Sequence, residues 1–125
     1  MHINVPEVLA EVSAVFAHYE DALVNNKVDV LDELFWHSGL TVRYGVAENL
    51  IGIDAIRAFR LSRPSAGLSR RLKRTVITTF GQDFATAMTE FHRDDNAKLG
   101  RQSQTWARLP DGWRVVAAHV SVIDV

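Results

Sequence analysis

The chain has 125 residues, of which 47% are hydrophobic, and its formal net charge is −1. This length and composition predict one globular domain over residues 1–125. The balanced charge gives no reason to expect nucleic acid or a membrane surface as a partner. The absence of cysteine excludes disulfides, thiolate metal sites and cysteine nucleophiles. No signal peptide or membrane-spanning apolar run is evident, so we expect a cytoplasmic protein.

The first part of the chain carries a helical pattern. Apolar residues recur at three- and four-residue spacing between Val8 and Leu23, which predicts a helix over about residues 5–25. Tyr19 lies on the same stripe, so its ring is expected to point inward. A short second helix is predicted next, with Asp29 as its N-cap.

Strand patterns dominate the remainder of the chain, with one more helix among them. A short strand is predicted over residues 39–45, and a third helix follows Gly52 and ends before Pro64. Four longer strands are then predicted, over residues 71–80, 83–93, 100–109 and 112–123. Short turns join these strands, so neighbouring strands must be antiparallel. The elements predict an α+β domain in which three N-terminal helices pack on a strongly curved, mostly antiparallel sheet, leaving a cone with one open end.

The last strand carries apolar residues on both of its faces. Strict alternation puts one set on the first face, Trp113, Val115 and Ala117. It puts the other set on the second face, Val116, Ala118, Val120 and Val122. Helices cover one face, and the simplest cover for the other is the sheet of a second copy of the chain. We therefore predict a homodimer that packs through the sheet.

Two residues are the first candidates for chemistry. A buried phenol such as that of Tyr19 needs a hydrogen-bond partner, which is a ligand or, in the alternative, a backbone carbonyl. Arg43 lies in the middle of the short strand, and an arginine that points into a core usually meets an anion. The alternatives for Arg43 are an outward side chain or an ion pair with Glu48 or Glu90.

Polar residues near the end of the last strand are further candidates. By alternation His119 and Ser121 share the face of Trp113, and both reach the open end of the cone if that face lines it. His92 is either near the same opening or exposed, and a lone histidine such as His119 is alternatively a satisfied core residue. The five histidines show neither HxH nor HExxH spacing, and no phosphate loop or dinucleotide fingerprint occurs. We therefore expect neither a metal nor a cofactor.

The order of elements resembles the nuclear-transport-factor-2-like cone, which also includes ketosteroid isomerases and SnoaL-type cyclases. A closer resemblance covers nearly the whole chain through three segments: YEDALVNNKVDVLDELFW, VRYGVAENLIGIDAIRAFRLSRP and GRQSQTWARLPDGWRVVAAHVS. These segments, in this order, resemble the AtzH-like proteins. Such proteins accompany amidase-signature enzymes in cyanuric-acid catabolism, and one branch, HpxZ, is linked to oxalurate catabolism.

The resemblance implies an enzyme of nitrogen metabolism that acts on a small, anionic carboxylated urea or ureide, for example converting 1,3-dicarboxyurea to allophanate. It also implies that the family's catalytic tyrosine and arginine are Tyr19 and Arg43. Arg43 would orient the ureide and stabilise negative charge on its carbonyl oxygen, and Tyr19 would transfer a proton. Six further residues are expected to bind substrate: Trp36, Ser103, Gln104, Trp106, His119 and Ser121.

Two other functions remain open at this point. The chain is alternatively a non-catalytic dimeric accessory protein that binds a partner amidase or its unstable product, since fold alone does not establish function. An isomerase acting on steroids or polyketides needs a buried carboxylate base, for which Glu90 is the best candidate. Arginines near the predicted opening favour an anionic substrate instead, namely Arg43, Arg60, Arg63 and Arg101.

Overall fold

The computed structural model describes all residues, 1–125. Its helices are α1 (Pro6–Val24), α2 (Val28–Leu34) and α3 (Ile53–Ser62). Its strands are β1 (Val42–Tyr44), β2 (Asn49–Ile51), β3 (Arg70–Phe80), β4 (Phe84–Arg93), β5 (Leu99–Leu109) and β6 (Gly112–Ile123). They form one sheet in the order β2-β1-β6-β5-β4-β3, antiparallel except where β1 runs parallel to β6.

The four long strands lie where the alternation and the turns predict them, and the three predicted helices are present. Two local features differ from the predictions. The short strand β2 was not predicted, although it pairs with β1. Asp29 is not the N-cap of α2: that position belongs to Lys27, and Asp29 lies in the first turn, where a carboxylate suits the helix dipole. None of the helices is long and apolar enough to cross a membrane.

The core lies between the helices and one face of the sheet, which we call the inner face. The stripe of α1 that the periodicity predicts is the buried one, and it packs on alternate residues of the long strands such as Ala85, Ala87, Trp106 and Val115. The side chains of these sheet residues project toward the helices because successive residues of a strand face opposite sides. The other side of the sheet is the outer face.

A β-bulge interrupts the alternation in β6. Trp106 of β5 pairs with Val115, but the preceding residue Thr105 pairs with Ala117, so Val116 is an extra residue with no partner. One additional residue in a strand moves every later side chain to the opposite face. Strict alternation therefore holds for the first half of β6 and fails for the second.

The bulge corrects the predicted faces of the last strand. Beyond it, Ala118 and Val120 are buried on the inner face, whereas His119 is exposed and Ser121 is only half-buried. The prediction that His119 and Ser121 share the inner face with Trp113 is therefore wrong. The outer face of β6 is also more polar than predicted. The two apolar faces of this strand, from which a homodimer was predicted, are therefore not present.

The backbone of Gly100 is packed tightly against a core side chain, and we expect Gly100→Ala to destabilise the fold. A Cβ at this position would lie 2.2 Å from Cζ of the buried Phe91 ring, which packs directly over the glycine. Overpacking of this kind costs about 1–3 kcal/mol in the free energy of unfolding, measurable by urea denaturation. Gly39→Ala is the matched control, because no atom lies within 4 Å of its added methyl. Equal stability of the two variants would contradict the packing described.

Candidate active site

A cavity of about 240 Å³ opens between α1, α3, the β1–β2 turn and the inner face of the sheet. Its wall is strongly positive, since it contains a single carboxylate, that of Glu48, and five arginines: Arg43, Arg60, Arg63, Arg70 and Arg93. Apolar side chains from the helices and the sheet complete it, including Leu23, Phe59 and Val120. A wall with this excess of arginine suits a small anion.

Tyr19 reaches the cavity from the buried stripe of α1. Its ring packs 6.2 Å from the ring of Phe35 and 6.2 Å from that of Trp106, the latter edge-on, so the side chain is held firmly in place. Only 4% of the residue is exposed, and its hydroxyl forms no hydrogen bond with the protein. The inward orientation is as predicted, and the alternative partner, a backbone carbonyl, is not observed. The phenol is available to a ligand.

Arg43 extends from β1 onto the inner face, where it also lines the cavity. Its Nη1 donates a hydrogen bond of 2.9 Å to Oε1 of Glu48, and its guanidinium lies 5.4 Å from the centre of the Phe59 ring. The ion pair with Glu48, one of the alternatives considered for this residue, is therefore present. Gly45 makes room for it, because a Cβ there would lie 1.8 Å from the same carboxylate oxygen.

Two more of the arginines have carboxylate partners outside the cavity wall. Arg70 donates two hydrogen bonds to Glu20 of α1, of 2.9 and 2.6 Å, and a longer one to Gln102. Arg60 forms an ion pair with Asp32 of α2. These pairs tie the helices to the sheet and to each other, and they neutralise the charge of both arginines.

Arg63 and Arg93 have no such partners. Arg63 lies just beyond α3 in an extended conformation before Pro64, and Arg93 ends β4 opposite Arg70. Nε and Nη2 of Arg63 and Nε of Arg93 are buried without a hydrogen-bond acceptor. Burial lowers the pKa of the Arg63 guanidinium, and the positive charges of the neighbouring arginines lower it further. The cavity thus holds two positive charges that the protein does not compensate.

Two of the residues predicted to bind substrate lie beneath the cavity rather than in its wall. Trp106 and Gln104 are almost fully buried, and Nε1 of Trp106 donates a hydrogen bond of 3.0 Å to Oε1 of Gln104. Trp106 supports the site indirectly by packing on Tyr19. The amide that lines the cavity is instead Gln102, two residues earlier on the same face of β5.

The other four predicted binding residues do not line the cavity. Ser103, His119 and Ser121 lie on the outer face, where Ser103 pairs with His119 across the strands and Ser121 accepts a hydrogen bond from Arg101. Trp36 is half-buried in the segment after α2, away from the cavity wall. The expectation that these four residues lie at the site is therefore not met by the cavity. His119 and Ser121 were misplaced because strict alternation was carried through the bulge, whereas Ser103 alternates with the inner residues Gln102 and Gln104 of β5.

Glu90 and His92 of β4 were considered for other roles, and neither lines the cavity. Glu90 borders a groove of about 230 Å³ on the outer face together with Arg101, so it cannot serve as a base inside the cavity. His92 contacts the backbone carbonyl of Lys98 and does not line the cavity either. No three His, Asp or Glu side chains come together in a way that could hold a metal ion.

Sequence reasoning missed Arg93, although the signal for it was present. The inner residues of β4 are the odd-numbered ones, beginning with Ala85 and Ala87, and the same alternation continues to Arg93 at the end of the strand. Arg70 lies on the same inner face, because it is the residue of β3 that pairs with Arg93. An arginine on an apolar strand face was the available indication of a charged site.

Known proteins resemble this chain along its full length. The model of the AtzH-like family matches residues 1–125. A protein with unknown function from Pectobacterium atrosepticum is 61% identical, with coverage of 98% of this chain and 95% of that chain and a TM-score of 0.96. A cystatin-like fold protein from Burkholderia xenovorans is 54% identical, with coverage of 100% and 98% and a TM-score of 0.96. No curated protein matches.

A more distant structure shows the wider fold. A nuclear transport factor 2-like superfamily protein from Salmonella enterica is 25% identical, with coverage of 95% of this chain and 93% of that chain and a TM-score of 0.78. The domain therefore has the nuclear-transport-factor-2-like, cystatin-like fold with helices on a curved sheet, as predicted.

Proposed function

The chain belongs to the AtzH-like family, and we propose that it converts a small carboxylated ureide in the arginine-lined cavity. The substrate is of the 1,3-dicarboxyurea kind or an oxalurate-related compound. One observation carries the proposal: the cavity wall contains five arginines and only one carboxylate, together with a phenol whose hydroxyl has no partner. This arrangement fits an anion that needs both charge neutralisation and a proton.

The size of the cavity also favours a small substrate. Pockets for drug-sized ligands measure about 300–1,000 Å³, whereas this cavity measures about 240 Å³. 1,3-Dicarboxyurea has about ten heavy atoms and two negative charges, which match the volume and the two uncompensated arginines, Arg63 and Arg93, better than the single charge of oxalurate. A steroid would leave these charges buried against an apolar surface, which is unfavourable.

The reaction requires one bond to break and one proton to move. In 1,3-dicarboxyurea the bond between a terminal carboxylate carbon and its nitrogen breaks, and the carbon leaves as CO2. The electron pair of that bond stays on nitrogen and is shared with the urea carbonyl oxygen, until nitrogen accepts a proton and allophanate is formed. Water then resupplies the proton to the enzyme. An oxalurate-related substrate would instead lose its amide bond to water, with the same need for proton transfer.

Tyr19 and Arg43 have the chemistry that these steps need. The Tyr19 hydroxyl, free of protein partners, is the proton donor to the ureide nitrogen. Arg43 uses only Nη1 for Glu48, so its remaining N–H groups can hydrogen-bond the urea oxygen as negative charge builds on it. Apolar side chains also line the cavity, and a departing carboxylate placed against them would be converted more readily to neutral CO2.

Multiple turnover tests this proposal. We expect CO2 release to be accelerated with the carboxylated ureide in large excess over protein, and the rate to saturate with substrate concentration. A non-catalytic accessory protein that only binds the ureide or an amidase would instead give a change that is stoichiometric with the protein. Because carboxylated ureides also decay without help, the rate in buffer alone must be subtracted. A stoichiometric effect would overturn the enzymatic proposal in favour of the binding one.

We also propose that two copies of the chain associate through the outer face of the sheet. This face carries exposed apolar side chains, among them the cross-strand pair Val76 and Met88. We expect Met88→Asp to shift the protein from dimer to monomer in sedimentation equilibrium, because a carboxylate would be buried between the sheets. Lys73→Asp on the exposed edge strand β3 is the control for charge alone. A monomeric wild type would contradict the proposal.

A further inference from the structure

Two of the five cavity arginines lack an anionic partner. Arg43, Arg60 and Arg70 each contact a carboxylate of the protein, whereas Arg63 and Arg93 form no ion pair and donate no side-chain hydrogen bond. Both unpaired arginines are half-buried, as Arg43 is, and each has guanidinium nitrogen atoms that are buried without an acceptor. The protein thus compensates three charges in one cavity and leaves two open.

Buried guanidinium N–H groups without an acceptor are unfavourable for folding. A guanidinium N–H that loses water without gaining an acceptor costs the free energy of its desolvation. Buried polar groups nearly always have partners, so an exception calls for a specific explanation. At a cavity wall, the simplest explanation is a ligand that supplies the missing acceptors.

The surroundings of the two side chains make them one site. Arg93 lies opposite Arg70 across β3 and β4, and both guanidiniums contact the ring of Phe91, at 5.7 and 4.2 Å from its centre. Arg63 and Arg93 also line the same cavity, and burial together with the charges of Arg60, Arg43 and Arg93 lowers the pKa of Arg63. An anion bound in this cavity would offset the charges of both arginines.

We infer that Arg63 and Arg93 together bind the carboxylate that the product retains. Because their two positive charges exceed the charge of one carboxylate, they also favour ligands with two negative charges over ligands with one. The identity of the ureide in this inference rests on the proposed function. The site is assigned to the retained carboxylate because a cation at the departing one would stabilise charge that is lost as CO2 forms. Such contact would slow the reaction rather than speed it.

A stable dicarboxylate tests the site without any turnover. In glutarate three atoms separate the two carboxylates, as in 1,3-dicarboxyurea, and butyrate is the matched compound with one carboxylate removed. We expect the wild type to bind glutarate more tightly than butyrate in calorimetry in a carboxylate-free buffer. Arg63→Met and Arg93→Met should each weaken glutarate binding about 10- to 100-fold, the loss typical of a charge-assisted hydrogen bond.

Stability separates a ligand site from a structural role. Because Arg63 has no partner in the protein, we expect Arg63→Met to keep or raise the thermal unfolding midpoint while it weakens glutarate binding. A structural arginine would lower the midpoint when replaced. Arg71→Met, on an exposed side chain outside the cavity, is the matched control and should change neither measurement.

The remaining outcomes are decisive in either direction. The inference is overturned if the wild type does not bind glutarate, if both variants bind it within twofold of the wild type, or if Arg63→Met lowers the unfolding midpoint. It is also overturned if butyrate binds as well as glutarate. Glutarate binding that depends on both arginines, in a protein without turnover, would support the site and refute the enzymatic proposal alone.

Discussion

Replacement of Tyr19 by phenylalanine is expected to lower kcat by about 10²–10⁴-fold, the loss typical of a general acid or base. The substitution removes only the hydroxyl group, and this group donates the proton to the departing nitrogen in the proposed reaction. Because Arg63 and Arg93, and not Tyr19, hold the retained carboxylate of the substrate in this account, KM should change much less than kcat. Steady-state rates of CO2 release measure both parameters.

The same substitution should leave the fold intact. The phenylalanine ring keeps the contacts with Phe35 and Trp106, and the lost hydroxyl has no partner in the protein. The unfolding midpoint and the affinity for glutarate therefore serve as internal controls for Tyr19→Phe. A variant with normal folding and nearly normal kcat would refute the role of Tyr19 as the proton donor.

Loss of Arg43 has the second largest expected effect. Removing one donor that stabilises a developing oxyanion typically costs about 10²–10³-fold in kcat, and we expect a loss of this size for Arg43→Met. Arg43→Lys should recover only part of it, since an ammonium group cannot contact Glu48 and the ureide with the planar geometry of a guanidinium. The measurement is kcat at saturating substrate.

The ion pair with Glu48 complicates the single substitution. Arg43→Met leaves the Glu48 carboxylate half-buried without its partner, which disturbs the cavity through charge as well as through the missing donor. The double variant Arg43→Met/Glu48→Gln removes both charges together and is the cleaner test. If this double variant folds and retains wild-type kcat, Arg43 has no role in the reaction.

Much of the fold was predictable because local patterns and tertiary structure agree. The stripe of α1 has helical spacing along its whole length, and turn residues separate the long strands, so the burial of Tyr19 followed directly. The strand β2 was not predicted, since three residues are too few to show alternation. Asp29 was misassigned because a carboxylate in the first turn and one at the N-cap give similar sequence signals.

The candidate site was predictable only in part. Tyr19 and Arg43 were both expected in the cavity and both line it. His119 and Ser121 were placed on the wrong face, because the bulge at Val116 arises from the pairing of β6 with β5 and leaves no mark in the sequence of β6 itself.

The sequence also could not predict which of the cavity arginines form ion pairs within the protein. Arg60 and Arg63 were both expected near the opening, but Arg60 is neutralised by Asp32, 28 residues earlier in the chain, and Arg63 is not neutralised. Arg70 likewise pairs with Glu20, 50 residues away. Such long-range ion pairs depend on the packing of helices on the sheet, and they determine which charges remain for a substrate.

The central claim, that this cavity binds and orients a dianionic ureide, is tested most directly by a crystal structure with glutarate bound. We predict one carboxylate within hydrogen-bond distance of Arg63 and Arg93, with the three-atom bridge directed toward Tyr19 and Arg43. Glutarate bound instead in the outer groove between Arg74 and Arg101, with the cavity free of it, would contradict the account.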